Sequence, residues 1–271
     1  QLGLAQCFAC SRRPVALSTL KRHDFETMNT RLFVSNALIN GAELLIDGDR
    51  ARYLGRVLRL RVGDEITVFN GEGPEWLATI EAMTRNTATL RIGESQEVGT
   101  ESPLKIHLVQ GISRGERMDF VVQKATELGV KRITPVLTEY GVVKLDRARA
   151  DKRRDHWTSI STSACEQSGR TRLPLIDAPM TLKEWFGNKP TEVGAELILA
   201  PGASSSLAAI NTPTMKVCLL IGPEGGFSDT EYEDAAVAGF DAVSLGPRVL
   251  RTETAAVAAL SVLQSRWGDL A

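Results

Sequence analysis

Apolar and polar positions follow two different rhythms along this chain, and the change from one to the other divides it. Between residues 31 and 92 they alternate in short runs, at 31–34, 43–46, 65–69, 75–81 and 87–92, as half-buried strands require. Asp47-Gly48, Val62-Gly63-Asp64, Asn70-Gly71-Glu72-Gly73 and Arg85-Asn86 punctuate these runs. Asn70-Gly71 suits a hairpin turn, because both residues tolerate positive φ. A single helix-like insert at 50–60 carries Tyr53, Leu54, Val57 and Leu58 as its apolar stripe. Short strands at this spacing predict a small β-barrel. Residues 93–103 are polar, carry Gly and Ser, end in proline, and read as a linker.

From residue 104 onward, strands alternate with helices. Residues 105–112 and 131–137 read as strands flanking a helix at 118–128, where Met118, Val121, Val122, Ala125 and Leu128 share one face and Gly129 ends the helix. A helix is predicted over 148–167, strongly polar in its first half. The apolar runs at 196–200 and 217–221 fit parallel strands buried on both sides. Ser228-Asp229-Thr230-Glu231 is a capping box for a helix reaching Gly239. A strand at 242–245 and a closing helix at 252–267 follow, with Gly268 just past the end. This alternation predicts an α/β sheet with helices on both faces.

Composition narrows the picture. The 271 residues are 43% hydrophobic and 24% charged, the balance of a soluble globular chain long enough for one large domain or two modest ones. No apolar run reaches the roughly 18 residues of a membrane span, so no membrane association is expected. Residues 1–27 hold no sustained period and no continuous apolar stretch, and are expected to be an N-terminal extension, non-native or disordered. The formal charge is −1, so a nucleic-acid role must rest on local clusters. One such cluster is Arg50, Arg52, Arg56, Arg59 and Arg61 on the helical insert; a phosphate backbone and a solvated polar face both explain it. Cys7 and Cys10 lack the second pair that would complete a zinc site. Cys165 and Cys218 stand in apolar contexts and fit reduced thiols in a cytoplasmic protein. His23, His107 and His156 share no ligand spacing, and no metal is expected.

Two glycine turns carry the chemistry. Gly222-Pro223-Glu224-Gly225-Gly226 follows the run ending at Ile221; Gly246-Pro247 comes one helix and one strand later, and leads through Arg248, Leu250 and Arg251 to the helix starting at Thr252. Such turns at strand ends let backbone groups approach one ligand, although either alone reads equally as an ordinary loop. Their late position and G-x-x-G-G spacing argue against a Rossmann dehydrogenase or methyltransferase, whose G-x-G-x-x-G follows the first strand.

GPEGGF followed by LGPRVLRTETA, with QGISRGERMDFVVQKATELGV and ACEQSGR upstream, resembles the 16S ribosomal RNA uridine-N3 methyltransferases of the SPOUT superfamily. The resemblance runs from Met28 to nearly the end of the chain. It implies a PUA-like RNA-binding β-barrel over 28–98 and a C-terminal SPOUT-type α/β domain over 103–271 whose chain forms a trefoil knot. It also implies S-adenosylmethionine as methyl donor, held without a metal among loops that here contain Leu199, Ala200, Gly202, Ile221, Gly222, Glu224, Gly226, Leu245, Gly246 and Leu250. A homodimer acting on 16S ribosomal RNA of the 30S subunit follows from the same resemblance.

Uracil N3 carries a proton and attacks poorly until that proton is lost or shared, so the site needs a base or a cation that favours the imide anion. Arg251, at the start of the last helix, is the expected cation; Glu253 acts as base or holds Arg251 in place. N3 lies on the pairing edge, so the target base must be unpaired or swung out of its stack. Phosphate contacts are expected from Arg52, Arg56 and Arg59 and from Arg114, Arg117, Lys124, Arg170 and Arg172. The alternatives are a related SPOUT enzyme acting on another ribosomal or transfer RNA base, and a non-catalytic RNA-binding assembly factor. The intact ligand turns and LRTET segment count against the second.

Overall fold

The computed structural model describes residues 30–143, 146–189, 194–210 and 215–270; the tail with Cys7, Cys10, His23 and Met28 lies outside them. The first sheet contains β1 (Arg31–Phe33), β2 (Glu43–Asp47), β3 (Glu65–Phe69), β4 (Glu75–Met83) and β5 (Thr87–Gln96). Its order is β1-β3-β4-β5-β2, with β1 parallel to β3 and every other pair antiparallel. The path ends at β1 and β2 with no pairing between them among the described residues, so the expected barrel is a curled half-barrel. Between β2 and β3 the insert forms helix α1 (Gly48–Arg52) and a π-helical turn at Tyr53–Val57. Ala51 and Leu54 of the insert pack on Leu44, Ile46, Ile66, Val68, Ala78, Ile80, Leu90 and Ile92, closing a core beneath one face. The predicted linker begins too early: β5 continues to Gln96, whose amide donates to Glu75 Oε1 at 2.8 Å.

The second sheet is wholly parallel. It contains β6 (Lys105–Gly111), β7 (Arg132–Leu137), β8 (Leu175–Ile176), β9 (Met180–Thr181), β10 (Ala195–Leu199), β11 (Ser205–Ser206), β12 (Lys216–Ile221) and β13 (Asp241–Ser244). Their order is β11-β13-β10-β12-β6-β7-β8, with β9 also beside β7. Helices α2 (Glu116–Glu127), α3 (Arg147–Ser168), α4 (Leu182–Gly187), α5 (Asp229–Val237) and α6 (Thr252–Trp267) complete the domain.

Strand alternation sorts the side chains into two layers. Ile106, Leu108, Val217 and Leu219 meet Met118 and Val121 of α2, Trp157 of α3, and Leu260 and Leu263 of α6. Val109, Ile198 and Leu220 meet Leu182 and Trp185 of α4, Ala235 of α5, Phe227 and Phe240 on the other face. Each such large side chain contributes roughly 1.5–3 kcal/mol on burial. Because the strands are parallel, the carboxyl ends of β6, β10, β12 and β13 reach the same edge, and the loops after them crowd there.

The two sheets are joined through the C-terminal end of α3. Phe33 N–H donates to Glu166 Oε1 at 2.9 Å, while Arg31 Nη2 donates to the carbonyls of Gly169 (3.3 Å) and Arg170 (3.2 Å). Gly169 caps α3 at φ 80°, a left-handed backbone that glycine adopts without cost. Arg170 corrects the sequence reading. It is buried, and its guanidinium is bound to Glu101 at 3.0 Å and to the carbonyls of Thr126 (2.7 Å) and Val130 (3.0 Å), so it holds the α3 turn instead of facing RNA.

Candidate active site

At the shared strand edge, the loop after β12 and the segment before α6 form opposite walls of a cavity of about 470 Å³. Its apolar lining comes from Leu199, Ile221, Phe227, Leu250 and Ala255, and its charged lining from Arg117, Glu224, Arg251 and Glu253. The volume falls within the range that takes a cofactor-sized ligand.

Glycine is required where these loops meet. A Cβ on Gly111, at the end of β6, would lie 2.3 Å from Pro223 Cδ, so strand and turn touch backbone to backbone. Gly226 stands at φ 72° and donates its N–H to Pro223 O at 3.0 Å, closing the turn. Thr252 Oγ1 donates to Gly222 O at 2.7 Å and ties the start of α6 to that turn. Tyr232 packs edge-on to Phe227 at 5.6 Å and lines the same cavity; burial, then the charge of Glu231, pushes its hydroxyl up.

Of the residues expected to hold a ligand, Leu199, Ile221, Gly222, Glu224, Gly226 and Leu250 line the cavity. Ala200, Gly202, Leu245 and Gly246 lie in the flanking turns. Ala200 N–H bonds Val243 O at 2.9 Å, Leu245 packs into the core, and Gly202 and Gly246 supply φ of 81° and 98°. Pro201 and Val249 line the cavity from the expected ligand loops, whereas Phe227, Tyr232 and Thr252 line it from outside them.

Arg251 occupies the position just before α6, exposed at the cavity, with its carbonyl accepting from Ala255 N–H at 2.8 Å. Glu253 makes no ion pair with Arg251 among the described residues, and its Oε2 is buried without a hydrogen-bond partner. The holding role therefore has no contact to support it, and the carboxylate is left available at the cavity. Glu224 Oε1 accepts from Arg117 Nη1 at 2.5 Å and from Arg114 N–H at 3.2 Å. Burial alone would raise the Glu224 pKa, but these bonds and its own backbone N–H outweigh it and leave the group below the usual carboxylate range. Arg117 is raised in turn, chiefly by the Glu224 bond. Arg117, expected on a phosphate, thus stands in the cavity wall.

The remaining basic residues separate by partner. Arg52 pairs with Asp49, Arg50 with Glu166 at 3.3 Å, and Lys124 with Glu127 at 2.8 Å. Arg56, Arg59, Arg114 and Arg172 have exposed side chains with no ion pair among the described residues. Arg59 adopts φ 58°, uncommon for a residue with a Cβ, and projects from the turn after the insert. Cys165 is buried, and burial pushes its thiol up to about 11; Cys218 is half-buried against the second layer of the core. Among the described residues there is no group of three His, Cys, Asp or Glu able to hold a metal, and no helix long and apolar enough to cross a membrane.

Comparison with known proteins bears on this geometry. Residues 100–264 match the RNA methyltransferase domain family, and residues 46–93 match the RNA methyltransferase PUA domain. A curated relative, ribosomal RNA small subunit methyltransferase E of Buchnera aphidicola, is 35% identical over 240 residues, covering 89% of this chain and 97% of its own. The protein of the same name from Bacillus subtilis is 30% identical over 225 residues, covering 80% and 88%. Among solved structures, a Legionella pneumophila methyltransferase in complex with SAM superposes with a TM-score of 0.85 at 43% identity, covering 89% of this chain and 99% of that one. Ribosomal RNA small subunit methyltransferase E of Neisseria gonorrhoeae, bound to S-adenosyl methionine, gives 0.83 at 38% identity, covering 90% and 100%.

Fold and site together define an RNA methyltransferase domain joined to a PUA domain. Within that class, the chain belongs to the ribosomal RNA small subunit methyltransferase E family.

Proposed function

We propose that this chain transfers a methyl group from S-adenosylmethionine to N3 of one uridine in 16S ribosomal RNA of the small subunit. Residues 28–98 serve as the RNA-binding module and residues 103–271 as the catalytic domain. The observation that carries the reading is the convergence of the 222–226 turn and the 249–253 segment on one cavity that holds both Arg251 and Glu253.

The residues present fit the donor. Leu199, Ile221, Phe227 and Leu250 offer apolar walls to a purine, and the glycine turns bring backbone donors and acceptors within reach of a ribose. A sulfonium is a cation, and Glu224 and Glu253 place carboxylates at the same cavity. When bound, S-adenosylmethionine supplies an electrophilic methyl group. The protein's task is to make uracil N3 nucleophilic. Arg251, exposed at the head of α6, stabilises the negative charge that spreads over the imide, aided by the positive end of the helix. Glu253, which lines the cavity with one oxygen unpartnered, takes the N3 proton. With the proton passed to the Glu253 carboxylate and the imide charge held by Arg251, N3 would be the nucleophile that accepts the donor's methyl group.

Around this centre, Arg56, Arg59, Arg114 and Arg172 supply phosphate contacts, the protein works as a cytoplasmic homodimer, and the stretch from β12 to α6 is threaded as a trefoil knot. Support comes from the family membership and from the crowding of three loops at one sheet edge. Incubation with 30S particles lacking the modification and radiolabelled donor tests the reading: label enters the 16S RNA, and its failure to do so defeats it.

A further inference from the structure

Gln110, at the end of β6, is completely buried, and nothing in the apolar layers around it calls for an amide. Burying an unpaired amide is costly, so its bonds need a reason. Its Nε2 donates to Gly111 O at 3.1 Å and to Thr252 Oγ1 at 3.0 Å. Since Thr252 Oγ1 accepts there, its single hydrogen goes to Gly222 O at 2.7 Å, which fixes the direction of the whole relay. Oε1 is buried with no partner. Flipping the amide would set that oxygen against the Gly111 carbonyl and Thr252, so the orientation is locked. One side chain on a central strand thereby spaces two loops that are distant in sequence, the turn at Gly222 and the helix start beside Arg251. Gln110 does not itself line the cavity; Thr252 and Gly222 do.

We infer that Gln110 is a positioning residue for methyl transfer: through Thr252 it holds the Gly222 carbonyl and Arg251 in one fixed relation. The inference rests on the function proposed above. It predicts a split between stability and catalysis. Gln110→Leu fills the same space without the amide, so the melting temperature stays within a few degrees of wild type. The kcat/KM for methylation falls about 10- to 100-fold, the worth of one or two buried hydrogen bonds.

The test compares Gln110→Leu, Thr252→Val, their double mutant and Thr252→Ser in the full-length protein. Steady-state kcat and KM are measured alongside hydrogen exchange of segments 222–228 and 251–255 without donor. Shared action requires the double mutant to lose no more than the worse single mutant. Thr252→Ser, which keeps the hydroxyl, recovers activity to within about threefold of wild type. Exchange of both segments quickens in Gln110→Leu and Thr252→Val. Single-mutant losses that multiply in the double mutant overturn the inference, as do wild-type kinetics and exchange in Gln110→Leu. If exchange quickens as expected while the wild type transfers no methyl to RNA, the loops are positioned as described and the proposed function is what fails.

Discussion

Arg117 on α2 reaches across the cavity wall to Glu224 in the glycine turn, Nη1 to Oε1 at 2.5 Å. The pair links the SRGER loop to the ligand turn and keeps Glu224 charged beside a cavity assigned to a cationic donor. Because the folded pKa of Glu224 is lowered, its contribution to stability is present above the ordinary carboxylate range and disappears as pH falls through the lowered value. Glu224→Gln is therefore expected to flatten that acid limb in a series of denaturant melts. At neutral pH it weakens donor affinity more than it shifts the melting temperature, since both partners are substantially solvent-exposed.

Arg251→Ala is expected to abolish detectable transfer with donor binding and fold retained, read by single-turnover kinetics beside circular dichroism. Glu253→Gln keeps the shape and removes the base, so kcat falls by about 10²–10⁴-fold. Near-normal turnover in either variant defeats the role given to that residue.

The 2.3 Å approach at Gly111 makes a steric prediction. Gly111→Ala must push the 222–223 turn away from β6, since Pro223 has no flexible end to yield. Calorimetric titration is expected to show loss of donor binding in this variant. Gly41→Ala, at an open turn far from the site, leaves donor binding as it was.

Arg170 and Arg172 are two residues apart and are expected to behave oppositely. Arg170→Ala leaves Glu101 to Lys131 alone and takes a donor from the buried carbonyls of Thr126 and Val130, at a cost of about 1–3 kcal/mol in chemical denaturation. Arg172→Ala leaves stability near wild type, since the side chain is exposed.

Arg56 and Arg59 are expected to act on RNA through charge. Replacing each by Ala weakens binding to 16S RNA and reduces the slope of log affinity against log salt by about 0.7–0.9. Fluorescence anisotropy over a salt series reads this directly.

Much of the architecture is legible in the order of residues because it is locally encoded. The Ser228–Glu231 capping box forms as the pattern indicates, and the alternation in β6 and β12 sorts into the two layers it implies. Helix α4 carries its own local signal, the capping box Thr181-Leu182-Lys183-Glu184. Strands β8, β9 and β11 are two residues long and show no period to read. The site is legible where glycine and proline mark it and hidden where partners come from far along the chain. Arg170 looks like a surface arginine until Glu101, 69 residues earlier, meets it. Gln110 looks like a polar interruption of a strand until Thr252, 142 residues later, explains it.

Primer extension across 16S RNA tests the central claim most directly, using RNA from a strain lacking the protein, before and after treatment of its 30S particles with enzyme and S-adenosylmethionine. A methyl group on N3 blocks pairing, so the account predicts one new reverse-transcriptase stop at a uridine, produced by the wild type and absent with Arg251→Ala. An unchanged stop pattern with active wild-type protein, or the same stop produced by Arg251→Ala, would contradict it.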